Sequence, residues 1–105
     1  MPQETVYFRI TLQDAQNYNP QFNPYEIAIT KKVSWLIDFW DNPLCGQSRA
    51  RQLIKQIAGQ GESGKAFLKS LRAAISRRRQ LVRETKMLNT LDALSHEISR
   101  YVGRL

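Results

Sequence analysis

Between Lys65 and Val102 the chain contains no glycine or proline, and this uninterrupted stretch limits the possible folds more than any other feature. Apolar residues there recur with helical period. At 100° per residue, Phe67, Leu68, Leu71, Ala74, Ile75, Leu81 and Val82 share one face. After Lys86 the face is Met87, Leu91, Leu94, Ile98, Tyr101 and Leu105, nearly opposite the first on a common wheel. One straight helix would then need partners on two sides. The pattern therefore predicts two helices, about 64–85 and about 90–102, with Asn89 or Thr90 capping the second. One long helix crossing between subunits is the alternative. Sustained heptads are absent, which argues against a long coiled coil.

Upstream the signals are shorter. Residues 4–12 alternate, with Val6, Phe8, Ile10 and Leu12 on one side and Tyr7, Arg9 and Thr11 on the other. Period two with β-branched and aromatic residues reads as a half-buried strand. Residues 13–24 are polar, carry two Asn-Pro pairs and read as a loop, with Tyr18 and Phe22 placed to tack it onto the body. Tyr25, Ile27 and Ile29 alternate like a second strand that could pair with the first. The expectation is a strand to about Thr30, then a helix from about Lys31. The alternative is a helix from the Asn23-Pro24 cap to Trp40. Either way Val33–Trp40 is apolar nearly all round, so it is buried or lies in an interface. Ser48 reads as the N-cap of a short helix to about Ala58, which has Ala50, Leu53, Ile54 and Ile57 on one side.

The fold class expected is thus α+β and mainly helical. A short N-terminal β element, one strand or a hairpin, would pack on three to four helices. At 105 residues this is a single domain. The lone cysteine, Cys45, cannot close an internal disulfide. No signal peptide or membrane-length apolar run is apparent, so a reduced, cytoplasmic setting is expected.

Charge divides the chain into two parts. Residues 1–47 hold three cations against five acids and eight of the ten aromatic residues. Residues 48–105 hold thirteen cations against four acids, and the net charge is +7. A basic half of this kind suits an acidic partner. Its ordered element is a row, Lys65, Lys69, Arg72, Arg79 and Arg83, at three- and four-residue spacing with Ser76 filling the gap. Arg77 and Lys86 add to it, and Arg51 and Lys55 on the preceding helix could extend it. Cations on a rigid rod can meet phosphates and release counterions. Arg78 projects into the apolar face, so either the helix bends there, or Arg78 is buried and paired with a carboxylate, or that face opens at an interface, because an unpaired buried charge is too costly.

Other motifs have simpler explanations. Gly59-Gln-Gly-Glu-Ser-Gly64-Lys65-Ala66 fits GxxxxGK and GxGxxG. However, Ala66 stands where a phosphate loop needs Ser or Thr, and no strand precedes it. The simpler reading is an inter-helix loop with Ser63 as the next N-cap. A helix-turn-helix made of 48–58 and 64–85 is disfavoured by a connection of about six residues and by an unusually long second helix. His96 and Cys45 have no third group to form a catalytic set, and metal ligands are too few. No enzyme, cofactor or metal is expected.

The function expected is a small accessory or regulatory protein that binds DNA or RNA through phosphate. Its contacts would be Arg51, Lys55, Lys65, Lys69, Arg72, Arg77, Arg79, Arg83 and Lys86. Self-association would use Trp35, Phe39, Trp40, Leu94, Ile98 and Tyr101. The competing expectation is a non-enzymatic protein–protein adaptor that works through this apolar surface, or one that meets an acidic protein.

Overall fold

A computed structural model describes residues 2–21, 24–44 and 46–103, with side chains from 8–21, 29–44 and 46–103. They form five α-helices: α1 (Pro2–Gln16), α2 (Pro24–Trp40), α3 (Gly46–Ala58), α4 (Glu62–Leu81) and α5 (Thr85–Val102). Phe22, Asn23, Cys45 and Leu105 lie outside the described residues, as do the side chains of Tyr25 and Ile27.

The expected β element is replaced by helix: no strand occurs among the described residues. The burial pattern of α1 explains why. Thr11 and Ala15 are fully buried, with Phe8, Leu12 and Tyr18 partly buried around them. Positions 8, 11, 12 and 15 repeat with period 3.6, not 2. Ile10, central to the alternation, is 40% exposed. Pro2 sits in the first turn, where a missing N–H costs nothing. The expected strand over 25–30 is likewise the start of α2. Pro24 opens that helix, and Ile29, Val33, Leu36, Ile37 and Trp40 face inward at i, i+4, i+7, i+8 and i+11.

The basic half is helical as expected, with different ends. α3 starts at Gly46, so Ser48 lies inside its first turn. The chain breaks at 82–84, where Val82 is extended, and α5 begins after Glu84. Asn89 and Thr90 therefore lie inside α5, and the buried Thr90 hydroxyl donates to Asp41 Oδ1 at 2.9 Å. The break lets both apolar faces turn into one core. Phe67, Leu68, Leu71 and Ile75 meet Leu91, Leu94 and Ile98 there, together with Leu53, Ile54 and Ile57 of α3. α4 lies at the centre and is packed by all four other helices. No helix among the described residues is long and apolar enough to cross a membrane.

Candidate nucleic-acid interface

Because four helices cover α4, it reaches water mainly along one strip, with Arg79 exposed beside it and Leu81 at its end. Glu62, Lys65, Lys69, Ala73, Ser76, Arg77 and Gln80 are all exposed, and their spacing of three and four residues puts them in one band. The band has a boundary on each side. Towards α5 lies Arg79, whose Nε and Nη2 donate to the two oxygens of Asp92 at 2.7 and 3.3 Å. The Asp92 carboxylate accepts these bonds and raises the Arg79 pKa above its ordinary value. Towards α1 lies Ser70, which shares a 2.6 Å hydrogen bond with the Tyr18 hydroxyl. The Tyr18 ring also meets Phe67 edge-on at 5.4 Å, fixing the loop after α1.

The expected cation row divides on this geometry. Lys65, Lys69, Arg77, Arg83, Lys86 and Lys55 are exposed, and none makes an ion pair with another described residue. Arg79 is exposed but occupied by Asp92. Arg72 does not reach the surface. It is 7% exposed, and its Nη1 donates to the Ser99 hydroxyl at 2.9 Å and to the Gly103 carbonyl. Both partners belong to the end of α5, so its charge sits at a helix C-terminus and caps the Gly103 carbonyl, where a cation is favoured.

Arg51 is half-exposed and engaged twice, with its guanidinium over the Trp40 ring at 5.1 Å and Nε 3.4 Å from Glu97. Arg100 approaches the same buried carboxylate at 3.5 Å. Arg78 is half-buried and donates from Nη2 to the Ser34 hydroxyl at 2.8 Å, so its partner is a neutral side chain on α2 and not the expected carboxylate.

The aromatic and aliphatic residues expected at a subunit interface lie within this chain's own interior. Leu94 and Ile98 are fully buried, Phe39 and Trp40 nearly so, and Trp35 and Tyr101 pack partly buried against the core. Trp35 tilts against Phe39 at 5.1 Å. Among the described residues, the large apolar side chains most open to water are instead Leu44 and Leu81.

The glycine motif also has a structural role. Its connection is only Gly59–Gly61, because Glu62 and Ser63 belong to α4. Gly61, not Ser63, is the N-cap, with φ +86°, a conformation that side chains avoid. The Ser63 hydroxyl donates to the Gln16 carbonyl at 3.0 Å. At Gly64 a Cβ would stand 1.9 Å from the Ile57 carbonyl oxygen, so α4 crosses the end of α3 at a distance only glycine permits. A helix, not a strand, leads into the motif.

His96 is exposed on α5 beside Ser95, Ser99 and Arg100, while neighbouring Asp92 is held by Arg79. Among the described residues no three His, Cys, Asp or Glu side chains gather as a metal site would require. The sequence reading missed Ala73 and Gln80 as members of the band, although counting 65, 69, 73, 76 and 80 on the wheel identifies them. Comparison of the chain with protein-family models, curated proteins and solved structures finds no match.

Proposed function

We propose that this is a nucleic-acid-binding protein that contacts phosphate through α4 and the segment after it. One observation carries the reading. Lys65, Lys69, Arg77, Arg83 and Lys86 all face water without an acidic partner among the described residues. On most helices surface cations alternate with acids. Here the exposed band holds one acid, Glu62, at its very start. On α4 itself the uncompensated cations are Lys65, Lys69 and Arg77, while Arg83 in the break and Lys86 on α5 flank an exposed acid, Glu84. Such a run on a rigid helix attracts a polyanion and releases its counterions on contact. Lys55 on α3 adds a further cation. Arg72 is withdrawn from the contact set, and Arg79 joins it only by giving up Asp92. An adaptor working through the apolar helices is less well supported, because Phe39, Trp40, Leu94 and Ile98 are used inside the chain.

The test is binding of labelled mixed-sequence DNA and RNA across a salt series, using the intact chain and a Lys65→Glu/Lys69→Glu/Arg77→Glu variant. Affinity that falls steeply with salt and is abolished by the reversals supports the reading. Absence of binding at low salt, in protein shown to be folded, overturns it.

A further inference from the structure

The exposed band of α4 has a shape as well as a charge. Lys69 and Arg77 are separated by about 12 Å along the axis at ~1.5 Å per residue. Between them the band presents only Ala73 and Ser76, both small. A B-form major groove is about 12 Å wide and accepts an α-helix, with phosphates along both banks. With the helix lying in the groove, the small segment lets α4 approach the floor while Lys69 and Arg77 at its two ends reach towards phosphates. Gln80 and Lys65 lie further along the same band, and side chains of these types can read base edges.

The helix that precedes α4 supports the same geometry. The connection between α3 and α4 is three residues with a positive-φ glycine, the length a helix-turn-helix uses. The sequence had suggested about six, because Glu62 and Ser63 look like loop residues. Gly64 lets α4 sit directly against the last turn of α3, so the two helices form one rigid unit. In such units the first helix crosses the backbone while the second enters the groove. α3 exposes Gln47, Ser48, Gln52 and Lys55 to solvent.

We infer that α3, Gly59–Gly61 and α4 form a helix-turn-helix unit whose α4 band enters the major groove of duplex DNA. The inference rests on the phosphate-binding reading above and narrows its partner. Duplex RNA is disfavoured because its A-form major groove is too deep and narrow for side chains to read. Single strands offer no groove for the small-residue segment of α4 to enter.

The experiment compares three labelled probes of one sequence: a DNA duplex, an RNA duplex and the single DNA strand. Each is titrated with the intact chain, with Ala73→Trp and with Asn89→Trp. Both substituted positions are exposed, and thermal melting confirms that each variant is folded. The expected result has the DNA duplex bound most tightly. Ala73→Trp weakens that binding about tenfold, the scale of one lost base-edge contact, and leaves the single strand unchanged. Asn89→Trp changes nothing, and bound protein shields guanine N7 in the major groove from methylation. Equal affinity for all three probes, with Ala73→Trp silent and N7 unprotected, overturns the groove inference but leaves phosphate binding standing. No binding of any probe overturns both.

Discussion

The Arg72 guanidinium on α4 donates to the carbonyl of Gly103, the residue that ends α5, and the same nitrogen also reaches Ser99. A side chain that the sequence places in a surface row thus fastens the chain's last helix. Arg72→Met keeps much of the buried stem but removes the donors. Hydrogen bonds from a charged group contribute about 1.5–3 kcal/mol, so urea unfolding should show a loss of that size with an unchanged m-value. Polyanion affinity, measured where the variant is folded, should stay near that of the parent chain. A variant of parental stability that no longer binds would return Arg72 to the surface.

Gly61 and Gly64 belong to one motif but serve different ends, and alanine substitution should separate them. Gly61→Ala places a side chain at φ +86°, ψ −151°, a region almost reserved to glycine, with open space around it, which costs about 2 kcal/mol. Gly64→Ala forces a Cβ against the Ile57 carbonyl, so α3 and α4 must move apart, at about 3 kcal/mol. Thermal unfolding of the two variants should rank them in that order. Equal losses would mean that the close crossing of α3 and α4 is not what Gly64 provides.

Asp92 occupies a cation that would otherwise face the solvent. Asp92→Asn should leave the thermal midpoint unchanged, because an exposed ion pair stabilises little. It should also free Arg79 beside the α4 band. The slope of log affinity against log salt should then steepen by about one unit. An unaltered slope would show that the Arg79 flank lies outside the contact.

Thr90 ties the middle of the bundle to the end of α2 through Asp41. Thr90→Val keeps the shape and loses the hydroxyl, and the cost should be about 1 kcal/mol, since Asp41 can return to water. Hydrogen exchange should show faster opening at 40–42 than elsewhere. A uniform change across the chain would argue that this bond does not anchor the end of α2.

How much could be read in advance depended on how local each signal was. That α4 and α5 are two helices is legible because breakers are missing and two apolar faces cannot share one straight helix, but the break itself falls four to five residues earlier than the pattern suggests. In α1 the pattern misled, since Val6, Phe8, Ile10 and Leu12 fit a strand. The residues that reveal the helix, Thr11 and Ala15, are too small or polar to register as core. Arg72 and Arg79 look alike in the sequence, each a cation beside the same apolar face. What separates them is the end of α5 accepting bonds from one and Asp92 meeting the other, thirteen or more residues away. No window along the helix contains that information. The short turn was hidden for a related reason, because Gly61 takes the capping position that Ser63 appeared to offer.

The central place of α4 sets how a bound ligand would be felt. A helix gripped by every other helix has no private way to open, so its slowest-exchanging amides should report the unfolding of the whole chain. Any molecule seated on its open band is then linked to the entire folding equilibrium. At a free concentration one hundred times its Kd, such a ligand would add about 2.7 kcal/mol to global stability. The melting curve itself becomes a sensor for the partner.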